Sequence, residues 1–169
     1  MKTHPINQSA RGGTQTPGNI FERLDAPLVK KLYNAISIEI NKKLNGLGSL
    51  ILPFDDFRND RCVSFKFQAA WSMWLNSGGH HLSHCHSKGW YSGVYYVDVP
   101  NNLNLEKNEG AIHFGVPGIE TKDKMLPDLI FNPIQSDLVL FPSMLWHGTI
   151  PFKSDQPRIV IAFDIIPNV

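Results

Sequence analysis

A chain of 169 residues, 42% hydrophobic and 18% charged, has the composition of one soluble domain built on a single core. Sixteen Lys and Arg against fifteen Asp and Glu leave a net charge of +1, and no basic run stands out, which argues against nucleic acid or an anionic membrane as partner. Two isolated cysteines, Cys62 and Cys85, make no disulfide framework; with no apolar leader in "MKTHPINQSARGG" and no run of transmembrane length, the expected location is the cytoplasm.

Residues 1–19 are polar and rich in Gly, Thr and Gln, and read as an arm ahead of a single domain over 20–169. A helix fits "DAPLVKKLYNAISIEINKKLNG", residues 25–46. Asp25 can cap it, Pro27 suits its first turn and Gly46 its end. Leu28, Leu32, Ile36, Ile40 and Leu44 recur every four residues, and Val29 and Tyr33 widen that stripe, so one face should pack on a core.

Beyond the helix the texture changes to short β-type runs: "CVSFKFQAAWSMWL" (62–75), "WYSGVYYVDV" (90–99), "AIHFGV" (111–116), "SDLVLF" (136–141) and "RIVIAFDII" (158–166). Turn-forming Pro, Gly and Asn separate them. One helix followed by many strands argues against a doubly wound parallel sheet, which would alternate the two. The expected fold is mainly β, a jelly roll with the helix against its outer face.

Between the first two of these runs stands "HHLSHCHSKGWYSGVYY", residues 80–96, with four of the seven histidines in its first seven positions. If residues 84–86 are extended, His84 and His86 share a face and Cys85 points away. Two imidazoles so placed can grip one metal ion. His147, in "FPSMLWHGTIPF" just after a strand run, is the leading third ligand, because the mouth of a jelly roll is a common ligand site. A solvated histidine loop is the bland alternative. His80 and His81 read as structural or supporting residues, since Gly78-Gly79 suggests a bend before them. His113 reads as a core or pocket-lining residue and Cys85 as a small buried one, neither a ligand. No Cys-x-x-Cys pair suggests a structural zinc site.

The strings "AWSMWLNSGGHHLSHCHSKGWYSGVYYVDVP", "GAIHFGVP", "LVLFPSMLWHGTIPF" and "RIVIAFDIIP", in that order, resemble the 2-oxoglutarate/Fe(II)-dependent oxygenase family of the double-stranded β-helix superfamily. The resemblance covers roughly residues 11 to 167. It implies an iron site in the mouth of the jelly roll, with 2-oxoglutarate as cosubstrate and O₂ as oxidant. Carried over, His84 takes the first ligand position, His147 the distal one, and Arg158, 158 minus 147 or 11 residues further on, the role of anchoring the far carboxylate of 2-oxoglutarate. The implied reaction hydroxylates a C–H bond of a protein side chain, amino acid or small metabolite, releasing succinate and CO₂.

Two positions depart from the superfamily pattern. His86 stands where Asp or Glu is usual, so the iron would carry one more unit of positive charge. Glu109 or Asp98 is a candidate to supply the missing carboxylate. Val160 stands where a Ser or Thr usually helps the arginine, leaving Ser92, Tyr95 and Tyr96 as candidate hydroxyl partners. Trp90 and Trp146 flank the ligand segments and are candidate pocket walls or ordinary core. Two rival classes stay open: a cupin-like dioxygenase with an all-histidine metal site and no need of 2-oxoglutarate, and a non-catalytic ligand-binding jelly roll. The pattern leaves the oligomeric state open.

Overall fold

The computed structural model describes residues 9–46 and 64–168. The expected helix forms as α2, Pro27–Gly46, after a single helical turn, α1, Ile20–Arg23. Asn19 caps α1, its side-chain oxygen accepting from the Phe21 N–H. Along the predicted stripe of α2, Ile36, Ile40 and Leu44 are buried while Leu28 stays exposed, so burial concentrates in the later turns. Each of those three side chains contributes roughly 1.5–3 kcal/mol by leaving water.

Among the described residues eight strands follow one another: β1 (Ala10–Gln15), β2 (Phe65–His81), β3 (Tyr91–Asp98), β4 (Ile112–Phe114), β5 (Leu129–Phe131), β6 (Leu138–Pro142), β7 (His147–Thr149) and β8 (Arg158–Pro167). They make a five-stranded sheet in the order β1-β2-β8-β3-β6 and a three-stranded sheet in the order β5-β4-β7. Every strand pairing in both is antiparallel. The fold is a jelly roll. Its large sheet carries α1 and α2 on the outer face, where Ile20, Ile36, Ile40 and Leu44 meet Phe67, Ala70, Phe163 and Ile165. On the inner face Met73, Leu75, Tyr96 and Val160 form one cluster, and Ile112 and Phe114 of the small sheet pack on Phe141. No helix among the described residues is long and apolar enough to cross a membrane.

The partial alternation of the first β run has a cause. The register of β2 against β8 shifts between Phe67 and Ala69, and a one-residue slip exchanges the two faces of a strand. Before the bulge Phe67 faces the helices. After it Ala70 does, and Trp71, Met73 and Leu75 turn inward.

Two expectations change. Residues 10–15, read from sequence as part of a polar arm, are β1, the edge strand of the large sheet, paired with β2. Backbone pairing needs no apolar side chains, and β1 has few. Its Gly12, at φ 67, lies where a Cβ would stand only 3.0 Å from the Cα of Gly79, so glycines on both strands let the backbones approach. The bend expected at Gly78-Gly79 does not end the strand either: β2 runs on through His80 and His81. Cys62 and the start of the run at 62–75 lie outside the described residues.

Candidate metal centre

β2 ends at His81, and the next residues pass close to β7. His84 and His147 form an antiparallel bridge, each backbone N–H donating to the other's carbonyl at 2.9 Å. His86 N–H donates to the Ser143 carbonyl at 2.8 Å, which holds the segment against the β6–β7 connection. The strand-like spacing of His84 and His86 thus comes from pairing across the chain, outside any continuous strand.

His84, His86 and His147 converge. Their potential ligand atoms all lie within 4.8 Å of one another, and their ring centroids are 4.3–5.2 Å apart. The second nitrogen of each ring is already engaged. His84 Nδ1 faces the Leu82 carbonyl at 2.7 Å, His147 Nδ1 the Leu145 carbonyl at 2.9 Å and His86 Nδ1 the Asp164 carboxylate at 2.7 Å. A carbonyl or carboxylate only accepts, so Nδ1 carries the proton in all three. That tautomer leaves Nε2 with its lone pair, the arrangement a metal-binding imidazole needs. Burial, and then the neighbouring His84, pushes His147 down to about 3; burial likewise lowers His84. Both therefore present neutral rings at neutral pH.

The three rings line a pocket of about 480 Å³, open mouth included, with Trp71, Tyr96 and Arg158 also on its walls. Arg158 begins β8 and is only 2% exposed. Its Nη1 donates to the Gly110 carbonyl and its guanidinium carbon lies 5.8 Å from the centre of the Tyr96 ring. Among the described residues no carboxylate pairs with it, and its Nε has no hydrogen-bond partner. Burial lowers its proton affinity, but guanidinium stays charged in proteins. Arg158, Val160 and Ala162 line the pocket as alternate residues of β8. A buried cation with an orphaned N–H on a pocket wall is suited to an anionic ligand.

The remaining candidates fall on either side of this site. His81 lines the pocket, its Nδ1 3.3 Å from Ser9 Oγ, which also lies 3.3 Å from His84 Nε2. Burial, and next the charge of Arg158, holds His81 well below its usual range. His80 bonds the Gly78 carbonyl at 3.0 Å on an exposed side of β2. His113 packs against Gly148 of β7 with its Nδ1 buried and unpartnered, and neither it nor Cys85 belongs to the converging group. Glu109 is half-buried and accepts from the backbones of Asn104 and Lys153, and it is not in the converging group, so it does not supply a carboxylate to the histidines; nor does Asp98. Of the three hydroxyl candidates, Ser92 and Tyr96 line the pocket, while Tyr95 packs toward α2. Trp90 also packs on that helix side, and the indole on the pocket wall is Trp71, stacked at 5.8 Å on His86. Sequence reading missed Trp71 because the bulge in β2 hides which face it takes. It also missed Ser9, which lies 75 positions before His84.

No curated protein matches the chain. Among solved structures it is similar to a prolyl hydroxylase from Trichoplax adhaerens in complex with a hypoxia inducible factor peptide fragment (TM-score 0.59, 14% identity, 96% of this chain and 66% of that one). It is also similar to a viral collagen prolyl hydroxylase from Paramecium Bursaria Chlorella virus-1 in complex with 2OG (0.55, 16%, 97% and 82%) and to a Pseudomonas putida prolyl-4-hydroxylase (0.54, 13%, 98% and 77%). At such identities these likenesses speak for the fold alone. A family model described as "Putative 2OG-Fe(II) oxygenase" matches residues 69–164, more than half of the chain and the stretch that holds all three converging histidines and Arg158. The chain belongs to the 2OG-Fe(II) oxygenase family, whose chemistry uses Fe(II) and 2-oxoglutarate.

Proposed function

We propose that this protein is an Fe(II)- and 2-oxoglutarate-dependent hydroxylase in which His84, His86 and His147 hold the iron and Arg158 anchors the cosubstrate. One observation carries the reading: a fully buried arginine with no carboxylate partner among the described residues shares a pocket with three imidazoles that all keep the Nε2 lone pair unprotonated. The donor set fits the metal, because neutral imidazole suits Fe(II) and three ligands leave positions open on it. The orphaned guanidinium fits the dicarboxylate.

Bound together, iron and 2-oxoglutarate would supply the oxygen-activating chemistry that converts O₂, 2-oxoglutarate and a substrate C–H into the alcohol, succinate and CO₂. The protein's share is placement. Arg158 draws one carboxylate to its wall of the pocket, and Tyr96, 1% exposed and pushed up to about 12 by burial, keeps its hydroxyl proton on the same pocket. Val160 and Ala162 are small enough to leave room along β8, and Trp71, Ile112 and Phe141 keep water off the walls. The substrate is a C–H bond within reach of the mouth, on a peptide side chain, an amino acid or a small metabolite.

The all-histidine ligand set favours one other reading, a dioxygenase that dispenses with 2-oxoglutarate, but that enzyme would have no use for Arg158. Mixing the protein with Fe(II) and 2-oxoglutarate without oxygen tests the first reading, which expects a visible charge-transfer band and, on adding air, succinate formed as O₂ is consumed. Oxygen uptake unaffected by 2-oxoglutarate would transfer the assignment to the second.

A further inference from the structure

His86 differs from the other two histidines in what stands behind it. His84 and His147 lean on neutral backbone carbonyls, whereas His86 Nδ1 donates to the Oδ1 of Asp164 at 2.7 Å. Asp164 lies on β8, 9% exposed, in the alternating row that begins with Arg158. It is built into the sheet: Ser92 is its cross-strand partner on β3, and the Ser92 hydroxyl reaches the same Oδ1 at 2.6 Å. Ser143 Oγ lies 2.9 Å from Ser92 Oγ. A hydroxyl has one proton, and the carboxylate is the stronger acceptor, so Ser92 donates to Asp164 and Ser143 donates to Ser92. On its other side His86 is stacked on Trp71.

We propose that Asp164 is the positioning residue that returns to this all-histidine centre the negative charge missing from its ligands. The proposal rests on the iron site above. His86 occupies the position where the resembled pattern has Asp or Glu; the carboxylate is not lost but stands one hydrogen bond further out. Through His86 Nδ1–H it fixes the ring and makes Nε2 a stronger donor, as carboxylate–histidine–metal relays do. The Ser143–Ser92 chain moderates that effect by taking up part of the carboxylate's charge.

The test compares wild type, Asp164→Asn and Ser92→Ala, each loaded with Fe(II) anaerobically, by metal competition and by the Fe(III)/Fe(II) midpoint potential. Asp164→Asn keeps an oxygen to accept from His86 and removes only the charge. Its Kd for Fe(II) should rise about 10- to 100-fold, and its potential should rise because the oxidised, more charged ion loses more stabilisation. Ser92→Ala frees the carboxylate of a donor and should move the potential the opposite way. An unchanged potential in Asp164→Asn, even with weaker binding, means that Asp164 only orients the ring and overturns the proposal. If Asp164→Asn does not fold, Ser92→Ala decides, and no downward shift there overturns it. Wild type that takes up no iron removes the site itself and this inference with it; wild type that loads normally beside unshifted variants removes only the role of Asp164.

Discussion

Replacing Arg158 with Met separates its two burdens. Methionine approximates the volume of the stem and removes the charge and every donor. In the absence of 2-oxoglutarate the wild-type guanidinium is desolvated without a counter-ion among the described residues, at a cost of several kcal/mol. Against this stand one charged hydrogen bond to Gly110, worth roughly 1.5–3 kcal/mol, and the contact with Tyr96, roughly 0.5–2 kcal/mol. The two sides nearly cancel, so the variant should fold and melt within about 4 °C of wild type, a margin of about 1 kcal/mol for a chain of this size. With ligand the balance changes. A charge-assisted pair lost from a dry pocket costs about 1.5–3 kcal/mol, and each 1.4 kcal/mol is about tenfold in Kd, so 2-oxoglutarate should bind roughly 10- to 100-fold more weakly. At a concentration of about 100 times the wild-type Kd, the wild type gains about 2.7 kcal/mol from the ligand; a variant weakened a hundredfold gains only about 0.4. Thermal melts of the anaerobic Fe(II) protein with and without 2-oxoglutarate would read this directly. Equal ligand-induced shifts in wild type and Arg158→Met would refute the anchoring role, and a variant that melts far below wild type without ligand would refute the cancellation.

Substituting His147 with Ala should abolish stoichiometric Fe(II) binding while circular dichroism stays native, since the bridge to His84 is made by backbone atoms. Cys85→Ser and His113→Gln should each keep full metal loading, measured by elemental analysis, because neither side chain is in the converging group. Gly93 sits under the ring of the buried Phe163, and an added methyl would collide with it. Gly93→Ala should therefore lose about 1–3 kcal/mol in urea unfolding.

Much of the fold was legible because it rests on local periodicity. The four-residue recurrence from Leu28 to Leu44 marked α2, and the β-type runs marked β3, β6 and β8 within a residue or two. His84 and His86 were legible because their residue type and two-residue spacing are chemically unusual, and His147 because it follows a strand run and stands at the distal position of the resembled motif. What escaped lies in contacts between distant parts of the chain. Strands β5 and β7 have three residues each and no alternation to read, and β1 is polar. Asp164 was visible on the face of Arg158 by alternation, but its bond to His86, 78 positions away, depends on the register of β8 against β3. Trp71 was hidden by the β2 bulge, which no composition signal announces.

The bridge between His84 and His147 has a consequence for how the protein acquires its cation. These residues are 147 minus 84, or 63, positions apart, and the main chain alone brings them into register. Closing that loop is work already done by sheet formation, so the cation does not serve as a staple for folding. The empty protein should be a finished one, waiting with three imidazoles set out. Such a site takes whichever divalent ion reaches it first and holds it longest, and imidazole ligands rank nickel, copper and zinc above iron. With the proposed ligand set, mis-metallation is then the characteristic hazard of this chain, and the ion it carries should follow the metal supply of its surroundings as much as its own ligands.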